Sequence, residues 1–289
     1  MSPGAGSSAR DQLRRQAGRA WSGIRLASHR VDPRPRALPD FVVIGAQKAG
    51  TSSLYGQLSA HPSVVPALRK EVHYFDAAPK PLPEYLAYFP RRVTLDAVAM
   101  RTGRAITGEA TPFYLLHPAV PERMHAVLPD VRLIAVLREP AARAISGYHH
   151  AVRMGDETRP IEVALDPAAA EPLAPPAEAA WYDGSRCPAR LRGYLARGRY
   201  AEQLERWLAE FGRGQVLVLE SSTLRSGRVP ATVLAFLDLP PDLAPTVADR
   251  NVGAYGPPAT MIEATLREYF RPHNERLFSL LGVDWPWLA

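Results

Sequence analysis

The chain has 289 residues, 46% of them hydrophobic and 22% charged, which is the profile of a globular protein with material for one substantial core and excludes a disordered one. Its net charge of +6 sits almost wholly at the start, where residues 1–40 carry eight arginines, Arg10 to Arg36, against Asp11, Asp32 and Asp40. The remainder is close to neutral, which argues against a broad basic surface for nucleic acid, and no run approaches the roughly 20 apolar residues needed to cross a bilayer.

Residues 1–39 are expected to form a basic, flexible leader without an apolar signal core, and residues 40–289 one folded domain. A short amphipathic piece from Leu13 to Ile24 allows transient contact with an anionic membrane surface, although a solvated tail is the plainer reading. Phe41 to Ile44 is an apolar β-type run that ends at Gly45, and Thr51 to Leu58 follows as a helix. Val131 to Leu137 is a second strand, with Arg138 at its end; Pro140 suits a first helical turn, and Ala141 to Arg153 reads as helix. Composition turns to alanine and proline between Leu165 and Ala180, as in a loop. An amphipathic helix from Arg199 to Phe211 precedes a third strand, Gln215 to Glu220. Helices follow from Pro230 to Leu237 and from Ala259 to Leu281, the last with a candidate break at Pro272. Alternating strands and helices predict an α/β fold with a mainly parallel central sheet flanked by helices. Cys187 is the only cysteine, so no intrachain disulfide can form, and a reducing, cytoplasmic location is expected.

The junction between the first strand and helix reads Gly45-Ala46-Gln47-Lys48-Ala49-Gly50-Thr51-Ser52-Ser53. Small residues admit an anion to backbone N–H groups, the helix start adds its positive dipole end, and three hydroxyls can donate as well. A Walker A loop places its lysine directly after the last glycine. Here Lys48 precedes Gly50 and Thr51 takes that place. Only three of the 35 basic residues are lysines (Lys48, Lys70 and Lys80), so a lysine inside a tight loop hints that a compact ammonium is required. Arg138 and Ser146, eight residues apart across the second strand–helix junction, form a second candidate anion site, because a guanidinium grips phosphate bidentately.

Two acidic segments follow. In Glu71-Val72-His73-Tyr74-Phe75-Asp76 an extended backbone would put Glu71 and His73 on one side, where a carboxylate beside an imidazole can take a proton from an attacking hydroxyl. Glu109 lies in Gly108-Glu109-Ala110-Thr111-Pro112-Phe113-Tyr114 as a second acid–base group, an acceptor ligand or a structural hydrogen-bonding group. Tyr200 either stacks on a base or packs in the core. Trp285 and Trp287 are expected to form a hydrophobic cap. No cluster has metal-ligand spacing.

These segments resemble the sulfotransferases that use 3′-phosphoadenosine 5′-phosphosulfate (PAPS), above all those acting on heparan sulfate and other carbohydrates and their bacterial relatives. The resemblance implies a P-loop-like three-layer fold, PAPS as co-substrate with adenosine 3′,5′-bisphosphate as product, and no metal. It implies that Lys48 contacts the oxygen bridging sulfate and 5′-phosphate, within a nucleotide-binding set of Gln47, Lys48, Ala49, Gly50, Thr51, Ser52 and Ser53. Arg138 and Ser146 would bind the 3′-phosphate, helped by Asn251, Gly253 and Ala254 in a loop that lacks the basic residues usual beside its glycine. Glu71 is implied as catalytic base, with His73 as support or alternative base, and Asp76 and Glu109 on the acceptor side. Ala110 stands where heparan sulfate enzymes have lysine, which points to a less acidic acceptor. The partner expected is a hydroxyl or amine of a carbohydrate, lipid or other small molecule. A P-loop kinase or hydrolase using ATP and magnesium, and a non-catalytic nucleotide-binding protein, remain as rivals.

Overall fold

The structure is a computed structural model and describes residues 23–170, 192–246 and 260–288. Among the described residues five strands, β1 (Phe41–Gly45), β2 (Val64–Pro66), β3 (Ile106–Ala110), β4 (Arg132–Leu137) and β5 (Val216–Glu220), form one sheet in the order β2-β3-β1-β4-β5, every pair parallel. Parallel strands need crossovers, and helices supply them: α1 (Thr51–Ala60), α2 (Leu82–Leu86), α3 (Arg92–Thr102), α4 (Val120–His125), α5 (Pro140–Met154), α6 (Ile161–Ala164), α7 (Tyr200–Phe211), α8 (Ala231–Phe236) and α9 (Thr260–Leu281). The result is the expected α/β, P-loop-like arrangement of a sheet flanked by helices.

β1 and β4 are buried almost throughout, which is why both read as continuous apolar runs. β2 and β3 escaped the sequence reading. β2 has only three residues, and β3 (ITGEA) carries glycine and glutamate yet is wholly buried. Strand order reverses beside β1: β3 pairs on one side and β4 on the other, leaving a crevice beyond their carboxyl ends where α/β proteins hold ligands.

Order begins before Phe41. Residues 23–31 are helical, and Arg36 bridges to Arg91 as an isolated antiparallel pair. Ala37 donates its N–H to the Pro90 carbonyl at 3.0 Å, and Arg92 donates its own to Pro35 at 3.1 Å. Asp32 holds Arg34, Arg36 and Arg91 at 2.6–3.3 Å. The stretch thus lies as a strap across residues 89–92. The leader up to residue 22 falls outside the described residues. The candidate break at Pro272 is not a break: α9 runs through it, with Leu266 and Phe270 buried in the cluster around α5 and Leu277 in the main core. Trp285 and Trp287 pack with ring centroids 4.7 Å apart and planes tilted by 51°, with Phe278 and Tyr200 beside Trp287.

Candidate active site

The phosphate loop leaves β1 at Gly45, where a Cβ would stand 2.5 Å from that of Leu115, so only glycine fits. Two left-handed residues, Lys48 (φ 69°) and Gly50 (φ 103°), turn the chain into α1. Gly50 occupies the N-cap position without a side-chain cap, so the positive end of the helix dipole faces the loop. Thr51 is buried, Ser52 exposed, Ser53 intermediate, and Lys48 half-buried. Ala49 is buried, and the Gln47 side chain accepts from Arg197, which packs over the Phe113 ring.

Gly45 faces Ala135 of β4 across a register shift, so the loop that carries Lys48 and the junction that carries Arg138 leave adjacent strand ends. The start of α5 differs from that of α1. Glu139 caps it, accepting from Ala141 at 2.9 Å and Ala142 at 2.6 Å, so those N–H groups are engaged and the cation at this junction is the half-buried Arg138. Ser146 is buried on the same helix. Tyr200 is a core residue whose hydroxyl donates to the Arg138 carbonyl at 2.9 Å, which anchors that strand end and corrects the stacking alternative.

The Glu71 segment sits at the ends of β2 and β3, with the Glu71 N–H donating to Ala110 O at 2.9 Å. It is not the extended segment expected: Glu71 (φ 63°) and His73 (φ 55°) are both left-handed, and this double turn, not strand alternation, brings them together. His73 lies between two carboxylates, with Nδ1 2.7 Å from Asp76 Oδ2 and Nε2 3.7 Å from Glu71 Oε2. Lys70 pairs with the other Glu71 oxygen at 2.9 Å. His73 first and the Lys70 ammonium next hold the Glu71 carboxyl down at about 2. The Glu71 side chain is 49% exposed, so it can meet an acceptor.

Two residues expected to bind the acceptor do not reach open space. Asp76 has a fully buried side chain that orients His73, and Glu109 is fully buried among Tyr85, Thr111 and Tyr114. Burial pushes Glu109 up to about 6, its hydroxyl donors opposing. Ala110 is likewise buried in β3, which removes the physical ground for reading its identity as an acceptor preference. Asn251, Gly253 and Ala254 lie outside the described residues.

The structure adds residues that sequence spacing did not single out. His150, on α5, lies in the field of both Lys48 and Glu71; burial first, then Lys48 and Arg153, lower its pKa, while Glu71 opposes them. Arg197 reaches Gln47 from 150 residues away, and no local motif could have announced it. A cavity of about 380 Å³ lined by Asp40, Arg104 and Arg132 opens at the amino ends of the strands, opposite this chemistry.

Known proteins resemble this chain in sequence and fold. The sulfotransferase domain family matches residues 38–240. The chain is 26% identical to the membrane-associated sulfotransferase kil1 of Dictyostelium discoideum over 86% of its length and 66% of that protein's. It is 30% identical to human heparan sulfate glucosamine 3-O-sulfotransferase 6, covering 92% of this chain and 77% of that protein. A sulfotransferase structure from Alicyclobacillus acidocaldarius superposes with a TM-score of 0.62 at 28% identity, over 88% of this chain and all of that one. The expected cytoplasmic location is corrected here, since a relative so similar is membrane-associated by name. A lone cysteine forms no intrachain disulfide in any compartment, so Cys187 held no information about location. No helix among the described residues is long and apolar enough to cross a membrane. With the family match spanning most of the ordered sheet and the phosphate loop, the chain belongs to the sulfotransferase family, whose members generally take PAPS as co-substrate.

Proposed function

We propose that this enzyme transfers the sulfuryl group of PAPS in line to a hydroxyl or amine of a carbohydrate-type acceptor. The observation that carries this reading is the placement of the Lys48 loop and Arg138 at the ends of adjacent strands, with the Glu71 segment tied to the end of β3 on the other side of β1. The residues present suit a nucleotide bearing two separate phosphate groups. The N–H groups of α1, with Thr51, Ser52 and Ser53, would hold the 5′-phosphosulfate, and Arg138 with Ser146 the 3′-phosphate. The product adenosine 3′,5′-bisphosphate would remain on the same groups. A carbohydrate acceptor is supported by the heparan sulfate glucosamine enzyme among the relatives.

In the step itself the acceptor oxygen or nitrogen bonds to sulfur as the bond from sulfur to the bridging phosphate oxygen breaks. Glu71 receives the acceptor proton, and the Lys48 ammonium neutralises the charge that develops on the departing phosphate oxygen. His73, held through Nδ1 by Asp76 at 2.7 Å, presents Nε2 to Glu71 at 3.7 Å and would share the proton that Glu71 receives.

The test is mass spectrometry of glucosamine-containing oligosaccharides incubated with the protein and PAPS. The reading predicts products heavier by one sulfuryl group, lost with Lys48→Ala and Glu71→Gln. Phosphorylated products with ATP and magnesium, and none with PAPS, would favour the kinase reading.

A further inference from the structure

We propose that Glu109 is a positioning residue that acts on the reaction through two buried hydroxyls, which hold the backbone presenting Glu71. This inference rests on the reading of Glu71 as the base. Left-handed backbone at Glu71 and His73 is unfavourable for residues with a Cβ and persists only where its surroundings over-determine it. Among the surroundings are three hydrogen bonds given by the segment's own N–H groups. The first runs from Glu71 N–H to Ala110 O. The second runs from Val72 N–H to Thr111 Oγ1 at 3.1 Å, and the third from Tyr74 N–H to the Tyr114 hydroxyl at 3.0 Å.

Both hydroxyls in turn give their single proton to Glu109: Thr111 Oγ1 to Oε2 at 2.6 Å and Tyr114 OH to Oε1 at 3.3 Å, with Tyr85 OH donating to Oε1 at 2.9 Å. A hydroxyl that donates to a carboxylate presents its lone pairs away from it, and in this place those lone pairs face the Val72 and Tyr74 amides. One carboxylate therefore sets the direction of both relays. Glu109, Thr111, Tyr85 and Tyr114 are all sealed from solvent, so water cannot substitute for any of these bonds. The charged and titratable groups facing Glu109 are Tyr85 from α2, Tyr114 and Asp76 from the surrounding loops, and Tyr55 from α1. The ionised carboxylate accepts from all three hydroxyls at once. An amide in its place turns a donor group toward a hydroxyl that is already donating, and one relay must reverse.

The experiment uses the full chain and amide hydrogen exchange followed at Val72 and Tyr74, alongside turnover and binding of adenosine 3′,5′-bisphosphate. In Glu109→Gln, exchange at one or both of these amides is expected to rise by about tenfold or more, because the segment opens locally, while exchange in β1 and β4 stays put. Nucleotide affinity should hold within about twofold, and kcat should fall by about tenfold or more with a smaller change in acceptor KM. Should Glu109→Gln fail to fold, Thr111→Val and Tyr114→Phe decide the matter: the first should expose Val72 and spare Tyr74, the second the reverse. Unchanged protection at both amides, or a rise shared equally by the whole sheet, overturns the proposal. Lost protection with undiminished turnover also overturns it, because the clamp then does not act on the reaction, whereas full turnover in Glu71→Gln would remove the reading of Glu71 as base on which it rests.

Discussion

At the scale of single residues, Glu71 carries a tension. A carboxyl held at about 2 is ionised under any working condition and for that reason accepts a proton weakly. Of its two partners, His73 belongs to the proposed relay, whereas Lys70 would only compete with the proton for the carboxylate. Lys70→Met should therefore raise the Glu71 pKa and move the acid limb of the kcat/KM profile to higher pH; a limb that stays in place contradicts the assignment. Glu71→Gln should lower kcat by about 10²–10⁴-fold, the usual range for a lost general base. Glu109 makes the opposite contribution to stability. Its pKa of about 6 in the fold exceeds the ordinary 4.5, so between those values the native state binds more protons than the unfolded chain. Stability from this group is thus present at low pH and is lost as pH rises through about 6, by ~2 kcal/mol. Urea denaturation across that window should show the fall in the native sequence and a flatter profile in Glu109→Gln.

At the scale of elements, the strand–helix junctions set the site. Gly45→Ala would drive a Cβ against the Leu115 side chain at 2.5 Å, and the chain must shift to admit it. Overpacking of this kind costs about 1–3 kcal/mol, and because the shift falls at the root of the phosphate loop, nucleotide affinity should drop along with Tm. Affinity unchanged in Gly45→Ala would separate the loop from its strand. Glu139→Ala should cost about 1 kcal/mol through loss of the α5 cap. These junctions were legible in the sequence because they are local: β1 and β4 are uniform apolar runs, and Lys48, Arg138 and Ser146 follow at short, fixed intervals. β3 was not, because its glycine and glutamate are buried by packing that no local pattern records. The same reason hid the burial of Asp76 and Glu109, the left-handed turn at Glu71, and the arrival of Arg197 and His150 from remote parts of the chain.

At the scale of the whole molecule, the sheet order gathers these junctions. β1 lies between β3 and β4, so the ammonium, the guanidinium and the Glu71 segment, three groups far apart in sequence, all emerge at the carboxyl edge of one sheet. The cavity at the opposite edge has no part in this, and the basic start of the chain supplies a strap against residues 89–92. The central claim is that two cationic sites at neighbouring strand ends read two phosphate groups on one adenosine. Isothermal titration of the native chain and Arg138→Ala with adenosine 3′,5′-bisphosphate and with adenosine 5′-phosphate tests it most directly. The account predicts metal-independent binding of the bisphosphate, weakened about tenfold to a hundredfold by loss of either the 3′-phosphate or the Arg138 side chain, with little further loss when both are removed. Equal affinity for the two nucleotides, or an Arg138→Ala effect of the same size on both, would contradict it.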